Sequence, residues 1–209
     1  AIQLFIMKKL VLISILFLAV APLWAQKNTA QKSWTEADRR ALAGHYKRTK
    51  AEINQETGAL TSAQWNFKEG PDKWTIGQVL EHLNMWSLLT QFDARAAGYF
   101  GERPDLAAVC KSDSANTSFI YETNPHTSPD FTIPTGLIKD ENNLKMFTAK
   151  YDEIISAIEQ SKLNYRMIVR EGKDGYHRDL AQIYIIHYGH VDRHLRQIKR
   201  IKSHPNFPK

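Results

Sequence analysis

Cysteine is nearly absent from this chain. Its 209 residues contain one, Cys110. A single thiol cannot close an internal disulfide, so the fold must rest on packing. Cys110 falls in a loop-like stretch and reads as an incidental thiol rather than a nucleophile. Long hydrophobic runs are scarce too. The longest lies near the start, where Met7, Lys8 and Lys9 precede the apolar residues Leu10 to Ala21. A membrane span needs about 20 apolar residues, and this run has roughly a dozen. With Pro22-Leu23-Trp24-Ala25 behind it, the segment reads as a secretory signal peptide cleaved after Ala25. Residues 1–6 precede the Met and stand outside that signal. No cysteine follows the run, which argues against a lipoprotein anchor. Alternating strand patterns and internal repeats are also missing, which points away from β architectures and repeat arrays.

The expected organisation is a signal peptide over 1–25, a short linker over 26–32, one domain over 33–203 and a tail over 204–209. About 180 mature residues suffice for one domain with a proper core. The formal net charge is +6. Part of the basic excess lines the last helical segment at Arg193, Arg196, Lys199, Arg200 and Lys202. Such a stripe can bind nucleic acid. No stacking aromatics accompany it and the chain reads as exported, so a solvated helix face is expected and no nucleic-acid partner.

Four segments carry 3.6-residue periodicity. The first starts at Ser33, with Glu36 three residues later in a capping-box relation, shows Leu42, Tyr46, Thr49 and Ile53 on one face, and stops at Gly58. The second starts at Thr75, with Gln78 in the same relation; Ile76, Val79, Leu80, Leu83 and Trp86 form its stripe to about Tyr99. The third starts near Asp140 and carries Leu144, Phe147, Tyr151, Ile154, Ile155 and Ile158. The fourth runs from near His177 to about Lys202. The link 100–139 contains Pro104, Pro125, Pro129 and Pro134, which prevent a continuous helix. The fold expected is all-α, a four-helix bundle with that link as one long crossover between helices two and three. Trp65, Phe67 and Trp74, in the shorter link, are expected to cover one end.

The chemistry is concentrated in histidine. In the fourth segment the apolar stripe reads Leu180, Ile183, His187, His190, His194, Ile198, Ile201. Three imidazoles thus occupy core positions, within roughly 60° of arc at about 100° per residue. Buried imidazoles need partners. His190 and His194, four apart, stack on one helix face and can share a transition metal. His82, on the inward border of the second helix, is a third candidate. Three ligands leave a fourth position open, as in catalytic zinc sites. His187 is a fourth ligand, an outer hydrogen-bond donor or a packed ring, the last two favoured. His45 reads as structural or surface. Gln78, four before His82, either orients that ring or caps its helix; Gln197, three after His194, is a similar candidate. Glu81 and Asp192 each adjoin a ligand and so point about 100° away from it; neither can be placed in the site.

Two stretches carry a family resemblance. Trp74-Thr-Ile-Gly-Gln-Val-Leu-Glu-His82-Leu resembles the second-helix signature of the DinB-like superfamily. His190-Val-Asp-Arg-His194-Leu-Arg-Gln197-Ile resembles its closing motif. The likeness spans about Ser33 to Ile201. It implies a DinB-like four-helix bundle and a divalent metal, zinc or nickel, on His82, His190 and His194. It also implies chemistry of a hydrolase or a thiol S-transferase, with water or a thiol at the open position and a small-molecule substrate. Thiol transferases of this kind use cytosolic thiols, so an export signal is atypical of them. The alternative is a non-catalytic, metal-stabilised binding protein of the cell envelope. The location expected is periplasmic or secreted, not membrane-embedded after cleavage. An exposed bundle face is compatible with a homodimer.

Overall fold

The computed structural model describes residues 33–122, 127–171 and 176–209. The signal peptide and linker expected over 1–32 lie outside the described residues. What is described is mostly helical, with one small two-stranded sheet. None of the described helices is long and apolar enough to cross a membrane.

Four long helices build the core: α1 (Glu36–Thr57), α2 (Ile76–Phe100), α3 (Asp140–Gln160) and α4 (Leu180–Lys202). Helix α1 packs against α3 and α4, and α2 packs against the same two. The stripes that face inward are those the periodicity marks. Tyr46, Ile53, Leu80, Leu83, Phe147, Tyr151, Ile154, Ile158, Val191, Ile198 and Ile201 are all buried in one cluster. Burial of that apolar surface is the main force holding the helices together.

Helix starts are set by caps. Thr75 accepts the Gln78 backbone N–H, and the Gln78 side chain accepts that of Thr75, as expected. The first helix differs from expectation. Its reciprocal cap is Thr35 with Asp38, two residues later than Ser33 with Glu36. Both pairs satisfy the spacing rule. The choice falls to Trp34, which packs on the core and stacks on Tyr165 at 5.1 Å between ring centroids, keeping its own segment out of the helix. The fourth helix also starts later, at Leu180, capped by Asp179 and Gln182. The residues expected as its first turn form a strand instead: β2 (His177–Asp179) pairs antiparallel with β1 (Val169–Glu171), Val169 opposite Asp179. Three-residue strands are too short to show alternation. Residues 204–209 do not hang free: Phe207 packs on Phe67, and the Gln64 side chain donates to the Pro208 carbonyl at 3.0 Å.

The link between α2 and α3 is locally structured. It contains short helices at Pro104–Ala107 and Asp113–Thr117 and 3-10 turns at Ser118–Ile120 and Asp130–Thr132. Polar clamps tie it to the bundle. Arg166 bridges Asp113 at 2.7 Å and buried Asp179 at 3.2 Å. Arg196 donates to the Ile120 carbonyl at 3.0 Å, and Gln182 donates to that of Lys111 at 2.7 Å. Glu81 accepts from the Thr135 hydroxyl at 2.6 Å and from the Gly136 backbone N–H at 2.8 Å. Gly189 lets the Ile120 side chain lie directly on α4, since a Cβ there would stand 2.6 Å from Ile120 Cδ1 and 3.3 Å from its Cγ2.

Two effects of opposite sign meet at Gly189. Alanine in a helix interior gains about 1 kcal/mol over glycine by propensity, while overpacking costs about 1–3 kcal/mol. Because two Ile120 carbons crowd the new methyl, Gly189→Ala should lower stability, by about 1 kcal/mol net, in urea denaturation. A gain in stability would show that Ile120 yields freely.

Candidate metal centre

His82, on α2, is 2 % exposed and His194, on α4, is 8 % exposed; His190 is half-buried. Their ligand atoms lie within 4.8 Å of one another. His190 Nε2 stands 3.0 Å from His194 Nε2 and 3.4 Å from His82 Nε2. The i, i+4 spacing on α4 stacks the first pair. The packing of α2 on α4 brings the third ring in.

The outer nitrogens decide what these inner ones carry. His82 Nδ1 lies 2.7 Å from the Thr132 carbonyl oxygen. A carbonyl only accepts, so Nδ1 holds the hydrogen and Nε2 presents a bare lone pair. His194 Nδ1 lies 2.7 Å from Gln197 Oε1, with the same consequence. His190 Nε2 therefore faces two lone pairs at once and can donate to only one. A cation in the middle satisfies all three. Nitrogens each about 2.0–2.1 Å from one tetrahedral ion lie ~3.3 Å apart, close to the two separations here. Imidazole nitrogen suits zinc, nickel, copper or iron. The donor set thus fits a divalent transition metal.

The electrostatics agree. Burial pushes the His194 imidazole down to about 3 and lowers that of His82. Burial, then its two histidine neighbours, holds His190 well below the usual range. All three rings are neutral at pH 7, the form that ligates metal. Among the described residues no carboxylate or thiol joins the cluster.

Other candidates sort differently. His187 is not a ligand. Its Nδ1 pairs with the Tyr46 hydroxyl at 2.9 Å and its Nε2 with the Ser87 hydroxyl at 3.2 Å, inside the core. The offset of about 60° between 187 and 190 around the helix axis is enough to bring it within reach of Tyr46 on α1. Gln78 spends its side chain on the Thr75 cap and does not reach the His82 Nδ1, which Thr132 occupies. Gln197 orients His194. Glu81 anchors the link between α2 and α3 at Thr135 and Gly136, and Asp192 forms a two-pronged pair with Arg48 at 2.9 and 2.8 Å. His45 is exposed and stacks on Tyr188. Cys110 is half-buried beside Leu106. Thr132 went unseen in the sequence, because it acts through a backbone carbonyl that any residue supplies. Trp86 read only as part of an apolar stripe; its ring lies 5.0 Å from that of His190, and Trp74 lies 5.0 Å from His82.

A sequence profile of the DinB superfamily matches residues 45–198, a span that holds all three histidines. The chain belongs to the DinB superfamily. No curated protein and no solved structure matched it. Membership agrees with the cluster, since the superfamily is known for metal binding.

Two measurements follow for this DinB-superfamily chain. Outer partners of metal-bound histidine contribute about 10–100-fold in affinity; Gln197→Ala should weaken zinc binding by about that factor, read by competition with a chromophoric chelator, with the metal-free melting temperature little changed. Unchanged affinity would mean Gln197 does not orient the ring. The second concerns His187, whose imidazole burial pushes down to about 3. Unfolded, that ring takes up a proton near pH 6.5; folded, it does not. Its stabilisation is therefore fully present above about pH 6.5 and is lost as pH falls toward 3, by about 1.4 kcal/mol per unit. Urea midpoints measured from pH 7.5 to 4 should fall less steeply in His187→Gln than in the parent; equal slopes would place the titration elsewhere.

Proposed function

We propose that this chain is an exported, divalent-metal-dependent enzyme acting on a small molecule, built on the DinB-type four-helix bundle with residues 101–139 as its crossover. One observation carries the reading: the Nε2 atoms of three histidines converge, those of His82 and His194 with bare lone pairs, and among the described residues these three are the only protein ligands at hand. His82, His190 and His194 would hold the ion, zinc or nickel. When bound, it supplies Lewis acidity that lowers the pKa of a water or a thiol. Thr132 and Gln197 orient two of the rings. The crossover, clamped by Glu81 and by Arg196, closes the site from the side.

Hydrolysis and thiol transfer differ in what else they ask of the protein. A hydrolytic site gains from a general base, and the two nearest acids in sequence, Glu81 and Asp192, are engaged elsewhere. A general base helps either route, but a coordinated thiol gives up its proton to solvent more readily than water does, so the residues present favour thiol activation. The basic stripe of α4 does not favour a nucleic-acid partner. Arg200 pairs with Glu69, Lys199 with Glu52 and Lys202 with Glu56, while Arg196 holds the crossover. Export is supported by the signal-like residues 7–25.

Metal analysis of untagged protein should find about one transition metal per chain, and His190→Ala with His194→Ala should abolish it. Full occupancy in that double variant would sink the assignment. Loaded protein should then turn over ester or thiol-plus-electrophile substrates in proportion to metal content. Occupancy with no turnover of either class would favour a metal-stabilised binding protein.

A further inference from the structure

Two buried nitrogens beside the histidine cluster have no hydrogen-bond partner among the described residues. One is His190 Nδ1, the other Trp86 Nε1. With a cation shared by the three Nε2 atoms, His190 would carry its hydrogen on Nδ1. It is the one ring of the three whose outer nitrogen meets no acceptor among the described residues: His82 has the Thr132 carbonyl and His194 has Gln197. The Trp86 indole is a donor only. Its ring contacts that of His190, 5.0 Å between centroids, and stands 6.3 Å from His82. Trp86 lies one helical turn beyond His82 on the same face of α2, and its body is half-buried, so it forms the rim of the site. Trp74 lines the opposite side of His82. Buried donors left unpaired are costly, and native proteins seldom tolerate them. Two on touching rings, at the edge of a three-histidine cluster, describe a place that asks for an acceptor.

The charge of the site says what kind. Three neutral imidazoles around a divalent ion leave a net +2, and no carboxylate among the described residues joins them. An acceptor there is favoured further if it is anionic. The face of the Trp86 indole suits an apolar body.

We propose that Trp86 positions the substrate: its indole N–H binds a carboxylate or carbonyl oxygen of a small apolar compound whose reacting atom sits at the open side of the three histidines. The inference rests on the metal reading above. It assigns Trp86 as a positioning residue, and it narrows the substrate to apolar acyl or carboxylate compounds.

The test uses the full chain reconstituted with cobalt(II), whose visible spectrum reports on what approaches the ion. Phenylacetate and neutral phenylacetamide are titrated into wild type, Trp86→Phe and Trp74→Phe. Phenylalanine keeps an aromatic wall and deletes only the N–H. Loss of one hydrogen bond to a bound ligand corresponds to about tenfold in affinity, so Trp86→Phe should bind about tenfold more weakly with unchanged cobalt stoichiometry. Trp74→Phe should bind as wild type does. Stronger binding of phenylacetate than of phenylacetamide assigns the acceptor as a carboxylate, and the reverse as a carbonyl. Equal affinity of Trp86→Phe and wild type for both compounds overturns the proposal, as does a wild-type spectrum that neither compound changes. Loss of cobalt from Trp86→Phe also overturns it, since Trp86 would then support the metal rather than the ligand. Failure of wild type to take up cobalt is a separate result: it removes the metal reading, and this inference with it.

Discussion

Everything about the site depends on three imidazole lone pairs held face to face. His190 Nε2 stands 3.0 and 3.4 Å from the corresponding atoms of His194 and His82. His190 Nε2 can donate to only one of its two neighbours, whereas a cation between the three nitrogens would satisfy all of them, on a scaffold stiff enough to hold them there. Hydrogen-bond acceptors behind two of the rings remove the easy escape, a tautomer change that would let one ring donate to the next. The Thr132 carbonyl and Gln197 therefore do more than orient the rings. They keep the inner nitrogens bare, which is the state that binds metal.

That constraint accounts for the rest of the architecture. The ligands come from α2 and α4, so these two helices must hold their relative height. Their starts are set by full capping boxes at Thr75 and Asp179. Thr132 comes from the link between α2 and α3, so that link must be fixed as well. Glu81, one residue before His82, fastens it at Thr135 and Gly136. Arg166, Arg196 and the bare surface at Gly189 fasten its first half to α4 and its approach. The neighbour of each ligand thus serves the ligand. Glu81 points away from the metal site yet holds the loop that orients His82, and Asp192 ties α4 to α1 through Arg48.

His187 shows how finely one helix can divide its labour. It shares the stripe with His190 and His194, and all three replace apolar residues. The first ring is satisfied wholly by hydroxyls of Tyr46 and Ser87, deep in the core. The other two turn to His82. Each outcome meets the same demand, that a buried imidazole find partners. What differs is which side chains each ring meets, hydroxyls of α1 and α2 for His187 and the α2 histidine for the other two.

Local sequence determined the four amphipathic helices, because burial of one face leaves a 3.6-residue record. It determined the cap at Thr75 and the stop at Gly58, because these follow from short-range hydrogen bonding. It also marked His190 and His194 as neighbours, since helix geometry stacks positions four apart. Where two local solutions competed, as at Ser33 and Thr35, the packing of Trp34 decided. The strand at His177–Asp179 was invisible because its pairing partner is another segment, Val169–Glu171, and each strand is only three residues long. The separation of His187 from the site, the choice of a backbone carbonyl to hold His82, and the unpaired indole of Trp86 were decided by tertiary structure alone. Each depends on which surface of another element lies opposite, and the order of residues along one helix carries no record of that.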